Sequence, residues 1–260
     1  MGYLQFQMKK VISSFFGAIV FYTIIPLPQF LPFEFEKIAL WLPTIGILLA
    51  VILIVVEKLF FSIGFSVIVI SILLVSLSMY LTGGFHWDGA MDTADGLAVQ
   101  GDQEKSLEVM RDSRSGAFGV LTAIVIFALK SSALIDMGVN SPVSLILAMG
   151  WSRWGQLMAI VLYDYLRPEG KGAFLKTHLN PPLDIMFASL SLIGFMLWQY
   201  FYMAQSWGFI AITNSIAIVI TLYIGWWFNH KLGGHTGDTY GATIEWSEAL
   251  ILSSLTIFFH

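Results

Sequence analysis

The sequence predicts an all-α protein, a polytopic bundle of membrane-crossing helices, and three observations carry that prediction. Hydrophobic residues fill 57% of the 260 positions and charged residues only 12%, about half the ~25% charge of an average soluble domain. Mean hydropathy is +0.78. The apolar residues also gather into runs of about 20, the length that crosses a hydrocarbon core of ~30 Å.

In order, the runs are Ile38–Leu59, Ile63–Leu81, Phe118–Ile135, Val143–Tyr163, Ile185–Met203 and Gly208–Phe228. A weaker run, Glu245–Phe259, opens with Glu245 and Glu248, so its first turn is expected outside lipid. Together they make about seven spans. The stretch Val11–Phe33 is harder to place. Pro26, Pro28 and Pro32 interrupt it after roughly 20 Å of helix at ~1.5 Å per residue, and proline breaks the backbone ladder. It reads as a re-entrant or interfacial hairpin; the alternative is a crossing helix with an external N-terminus. No small-x-small cleavage site follows the N-terminal apolar run, so this segment is expected in the mature protein. No polar linker or repeat divides the chain, and residues 1–260 read as a single integral membrane domain.

Lys and Arg collect in cytoplasmic loops. Lys105, Arg111 and Arg114 lie in the loop 82–117, Arg167, Lys171 and Lys176 in 164–184, and Lys231 in 229–243. A pair of spans separates each of these loops from the next, so all three are expected on one side, the cytoplasmic one. The absence of cysteine excludes disulfides, thiolate metal sites and thiol nucleophiles. A net charge of −4, with no basic stripe, argues against a nucleic-acid partner.

The polar loops hold the candidate chemistry. In the first, GGFHWDGAMDTADG, Asp88, Asp92 and Asp95 are spaced i, i+4, i+7, which places three carboxylates on one helix face. Like charges so placed repel, so the cluster points to a bound cation. Hard divalent ions such as Mg²⁺ take a few carboxylates plus substrate phosphates. Asp112 is a further candidate ligand. Arg114 is a candidate phosphate holder through its planar fork. His86 is a metal or acid/base candidate, with a structural role the more common one for a lone interfacial histidine. In the second loop, Arg167 sits among Pro168, Gly170 and Gly172 and is expected to meet an anionic substrate. Arg153 lies inside a span, where a charge is a functional hypothesis by default, with a carboxylate or a phosphate as partner. Lys130 is also within a span, on a stem long enough to snorkel. The third loop, GGHTGDTYGA, surrounds His235, Thr236 and Asp238 with glycines. Such a turn presents backbone N–H groups to phosphate, through Gly234, Thr236 and Gly237. Glu245 reads equally as a ligand, a base or a first-turn acid.

Taken together, GGFHWDGAMDTADG, DSRSGAFG, RPEGKG and GGHTGDTYGA resemble, in order and over most of the chain, the cobalamin synthase (adenosylcobinamide-GDP ribazoletransferase) family. The resemblance implies that α-ribazole 5′-phosphate, or α-ribazole, attacks the cobinamide-bearing phosphate of adenosylcobinamide-GDP and releases GMP. It implies Mg²⁺ held by Asp88, Asp92, Asp95 and Asp112, substrate phosphates held by Arg114, Arg153 and Arg167, and a bacterial or archaeal cell membrane as the location. Asp95, Asp238 and His235 are the candidate bases, and the sequence does not choose among them. Membrane lipid surrounds such a protein, and a homo-oligomer is compatible with it. Asp92-x-x-Asp95-Gly96 also resembles, more loosely, the start of the CDP-alcohol phosphotransferase motif, but Leu97 and Ala98 stand where that motif has Ala-Arg. A third reading is an ion-coupled transporter; its site would sit near the midplane on broken helices, whereas these acids flank a long polar loop.

Overall fold

The computed structural model describes residues 2–99, 102–112, 114–138, 141–167, 169–170 and 172–259, and Pro168 and Lys171 lie outside them. Among the described residues the structure is a bundle of eleven α-helices with no strand. The first helix, α1 (Gly2–Tyr22), is followed by a chain that folds back along it. Glu34 N–H donates to Ser13 O at 3.0 Å, and Ser14 Oγ donates to Glu36 O at 2.7 Å. A Cβ on Gly17 would sit 1.9 Å from the Glu34 carbonyl oxygen, so only glycine admits this return. α1 is not among the helices long and apolar enough to cross a membrane, and this geometry fits the hairpin reading rather than the crossing one.

A 3-10 turn (Ile38–Trp41) leads into α2 (Leu42–Ile63), which carries Pro43 in its first turn, where a missing N–H leaves nothing unpaired. α3 (Val67–Leu81) returns antiparallel to it. Gly83 and Gly84, with φ of 66° and 73°, then take the left-handed conformation that favours glycine. They turn the chain by 90° into α4 (Phe85–Ala98), which carries all three aspartates of the first loop. α5 (Gln103–Val109), α6 (Ala117–Met137), α7 (Ser141–Leu162) and the short α8 (Phe174–Thr177) follow. α9 (Leu183–Phe201), α10 (Trp207–Leu232) and α11 (Gly237–Phe259) complete the bundle.

The segment Ile38–Ile63 and the helices α6, α7, α9 and α10 are each long and apolar enough to cross, five in all, or six if bent α3 plus α4 counts as one span. The expectation of about seven is revised at two places. α3 has only 15 residues, ~22 Å of helix at ~1.5 Å each. α11 starts at Gly237, eight residues before the predicted Glu245, and carries Asp238, Glu245 and Glu248. It can carry them because it is the inner helix, packed against α4, α6, α7 and α10.

What α11 buries is a set of charges. Lys130 Nζ on α6 donates to Glu245 Oε2 at 2.5 Å and to Glu248 Oε2 at 2.6 Å. Arg153 Nη1 on α7 donates to Glu248 Oε1 at 2.6 Å and to Met149 O at 3.0 Å. Lys130 also lies 5.2 Å from the centre of the Trp87 ring on α4. All four charged side chains are at most 5% exposed. Lys130 therefore does not snorkel, and Glu245 is an ion-pair partner rather than a free base or first-turn acid. Two cations face two carboxylates, so the group is neutral as a whole. Deleting one member strands its partner in a dry interior. Lys130→Met is expected to lose about 3–5 kcal/mol of stability, and Lys130→Met with Glu245→Gln to recover much of it. Thermal unfolding of detergent-purified protein measures both.

Candidate active site

All three polar loops meet at one end of the bundle. The second and third are joined by backbone: His235 N–H donates to Asp164 O and Leu166 N–H to His235 O, each at 2.8 Å, around a parallel bridge between Tyr165 and His235. A Cβ on Gly234 would lie 2.7 Å from Asp164 O, so this join needs glycine there. Arg167 then reaches across. Its Nη1 donates to Asp238 Oδ2 at 2.7 Å, and its Nη2 to Leu107 O of the first loop at 3.4 Å.

The first loop docks through a pair of glycines. A Cβ on Gly89 of α4 would come within 2.6 Å of the Asp238 carbonyl oxygen, and one on Gly241 of α11 within 2.9 Å of His86 Cα. The start of α11 thus lies against α4 at a backbone separation that no larger residue allows. Between the loops is a cavity of about 500 Å³ whose lining includes His86, Asp88, Tyr165, Arg167, Gly237 and Asp238.

The carboxylates around this cavity divide into two groups. Asp88 is exposed and Asp92 half-buried on the same face of α4. Burial first, and then the Asp88, Asp238 and Asp95 carboxylates, push Asp92 up to about 7, against the lowering effect of Arg167. Such crowding of negative charge fits a hard cation. Asp95 is already engaged. Its Oδ2 accepts from Gly116 N–H at 2.7 Å and its Oδ1 from Gly119 N–H at 2.8 Å, so it caps the N-terminus of α6 from a neighbouring helix. Asp112 is engaged too: Arg114 Nη2 donates to it at 2.6 Å, and these hydrogen bonds hold its carboxyl down at about 2. Among the described residues no three His, Asp or Glu side chains converge as a metal-holding group. The expected set of Asp88, Asp92, Asp95 and Asp112 is therefore not assembled; Asp88 and Asp92 are the carboxylates left for a cation, with Asp238 opposite.

Several other expectations are revised by position. Arg153 is 2% exposed and spent on Glu248; of the alternatives for its partner, carboxylate or phosphate, the structure shows the carboxylate. The Arg114 side chain is 87% exposed on Asp112, outside the cavity. His235 is fully buried, stacked between Tyr163 and Tyr240 with ring centroids at 5.4 Å from each. Its ring nitrogens contact Thr239 Oγ1 and Gly225 O at 3.1 Å, and burial pushes it down to about 4, so it is a neutral structural histidine. Thr236 is also fully buried. Its N–H donates to Thr239 Oγ1 at 2.8 Å and its Oγ1 accepts from Thr239 N–H at 3.3 Å, which makes it a helix cap for α11. Of the glycine-rich turn, Gly237 and Asp238 face the cavity. Sequence reasoning missed Tyr22, Tyr165, Gln156 and Tyr240. The available signal was weak: Gln156 stands one turn beyond Arg153, and Tyr165 stands two residues before Arg167.

Fold and site define a class: a multi-pass membrane protein with a cavity lined by Asp88, Arg167 and Asp238 where its polar loops meet at one end of the bundle. The family model for cobalamin-5-phosphate synthase matches residues 14–256, and the chain belongs to that family. Its relatives include the adenosylcobinamide-GDP ribazoletransferase of Trichormus variabilis, 45% identical over 256 residues that cover 96% of this chain and 99% of the relative. Those of Synechocystis sp. and Synechococcus elongatus are 43% and 42% identical, covering 93% and 96% of this chain and 93% and 99% of the relatives. No solved structure matches the chain.

The α4–α11 contact sets the cavity, so widening it is expected to be costly. Gly241→Ala pushes a Cβ against the His86 backbone and is expected to lower stability by about 1–3 kcal/mol and activity at least tenfold. Gly194→Ala on α9, where a Cβ meets nothing within 4 Å, is the control expected to change neither. Thermal unfolding and turnover of the two variants, side by side, check this.

Proposed function

We propose that the protein transfers the adenosylcobinamide-phosphate group of adenosylcobinamide-GDP to α-ribazole 5′-phosphate or α-ribazole. A hydroxyl oxygen of the acceptor bonds to the cobinamide-bearing phosphorus. The phosphoanhydride bond breaks, GMP leaves with its electron pair, and the acceptor hydroxyl's proton passes to water at the exposed mouth of the cavity. The observation that carries the reading is the cavity itself, in which Asp88, Arg167 and Asp238 come from three separate loops, in a chain whose family makes this kind of bond.

The chemistry is mostly positioning and electrostatics. Arg167 offers its guanidinium to the diphosphate while Asp238 keeps it aimed. The backbone at Gly237 opens a helix of 23 residues, whose N-terminal amides favour an anion. Asp95 acts through α6, holding the first loop's far end in place. Asp88 and Asp92 would hold Mg²⁺ together with the substrate's own phosphates, and the ion would offset the negative charge of the diphosphate and of departing GMP. The three loops are proposed to face the cytoplasm across the cell membrane, because the nucleotide-linked donor is a cytoplasmic metabolite and the basic residues gather there.

Two measurements test the reading. Purified protein given adenosylcobinamide-GDP and α-ribazole is expected to release GMP, and chelation of divalent cations to stop it. Asp92→Asn is expected to lower turnover by at least ~100-fold, or ~2.7 kcal/mol, with insertion unchanged. GMP release that survives both chelation and Asp92→Asn would remove the metal from the scheme; a CDP-alcohol accepted in place of the donor would replace the reaction. Topology is read by single cysteines at the exposed positions Glu104, Lys176 and Lys231. These are expected to react only with reagents that reach the cytoplasm, and a cysteine at exposed Ser206 only from outside.

A further inference from the structure

The cavity has two chemically different ends. Its mouth holds the charges: Asp88 is exposed, and the Arg167 and Asp238 side chains are 17% and 23% exposed. Its inner wall is formed by Tyr22 at 6% exposure, Gln156 at 4%, and His86, whose side chain is 11% exposed. Two of these residues carry a buried polar atom with no hydrogen-bond partner, Tyr22 OH and Gln156 Oε1, whereas His86 Nδ1 faces the buried Glu245 carboxylate at 4.0 Å. A buried polar atom left unpaired costs about 1–3 kcal/mol, and two on residues lining one cavity point to a ligand that pairs them.

The ligand's chemistry follows from what is and is not there. Among the described residues, the charged side chains that line the cavity are Asp88, Arg167 and Asp238, all at the mouth. Behind it, the ion-paired Lys130, Arg153, Glu245 and Glu248 sum to no net charge. A phosphate only accepts hydrogen bonds, so it would leave the Gln156 carbonyl oxygen unpaired. A hydroxyl both donates and accepts, as a tyrosine OH does. The remaining inner lining, Phe21, Leu175 and the Tyr240 ring, offers apolar and aromatic surface. A volume of about 500 Å³ lies within the ~300–1,000 Å³ of small-molecule sites.

We propose that the inner end is a nucleoside subsite, in which Tyr22 and Gln156 hold ribose hydroxyls and the aromatic lining takes the base, leaving the phosphates at the charged mouth. The assignment rests on the reaction proposed above, which involves two nucleosides: the guanosine half of the donor and the α-ribazole acceptor. They share this chemistry, and experiment separates them.

Binding of guanosine and of α-ribazole, each alone and without divalent cation, is to be measured by equilibrium dialysis on the full-length protein in detergent. Wild type, Tyr22→Phe and Gln156→Leu are compared, with inorganic pyrophosphate as a probe of the mouth. Wild type is expected to bind at least one nucleoside, and each variant to bind it about tenfold more weakly with pyrophosphate affinity unchanged. Weakening of α-ribazole alone assigns the subsite to the acceptor, and weakening of guanosine alone assigns it to the donor. Wild-type affinity for both nucleosides in both variants overturns the proposal, as does a wild type that binds neither, or pyrophosphate affinity lost in step with the nucleoside. Tyr22→Phe removes one oxygen and no packing, so misfolding does not mask the result. Failure of the proposed reaction reads out separately, as a protein that binds nucleoside but releases no GMP.

Discussion

Four buried charges set the arrangement on which the rest depends. Lys130, Arg153, Glu245 and Glu248 come from α6, α7 and α11, and none of them reaches water. Desolvating an ion is expensive enough that each must meet its partner at close range. That requirement fixes the rotation and depth of α11 relative to its neighbours. Once α11 is fixed, its N-terminal turn has one place to go, against α4, and Gly89 against Asp238 and Gly241 against His86 let the two backbones meet there. The cavity is the space left between that junction and the loop carrying Arg167. Charges deep in the bundle thus shape a site whose own charges sit at its mouth.

The same logic separates carboxylates that build the site from those that face it. Asp95 gives both oxygens to amides at the start of α6, and Glu245 and Glu248 give theirs to buried cations. Among the described residues Asp88 and Asp92 have no such partner, and Asp238 shares Arg167. Residues of one type therefore serve as helix cap, ion-pair partner and cation candidate. The difference lies in which positive group each meets.

Much of this was legible in the sequence. The helical runs followed from hydropathy, the one-face placement of Asp88, Asp92 and Asp95 from spacing, and the shared end of the three loops from charge parity. What was not legible depends on contacts between distant residues. Nothing near Asp95 in sequence says that Gly116 and Gly119 will claim it, and nothing near His235 says that Tyr163 and Tyr240 will enclose it. Arg153 was legible as a buried charge needing a partner, but the choice between carboxylate and phosphate required Glu248, almost a hundred positions on. α11 was misread at its start because hydropathy treats a helix as facing lipid, and this one faces other helices.

The glycines illustrate why a motif reads as functional before its function can be divided. GGHTGDTYGA looks like one phosphate-binding loop, yet its residues do separate things. Gly234 lets the second and third loops touch, Thr236 caps α11, His235 fills the space between two tyrosines, and Gly241 admits α4. Four of its residues, Gly237, Asp238, Tyr240 and Gly241, line the cavity. A substrate that is charged at one end and neutral at the other needs a site with the same polarity. Packing the motif's polar atoms into the scaffold is what keeps the inner wall uncharged while the mouth retains Asp88, Arg167 and Asp238.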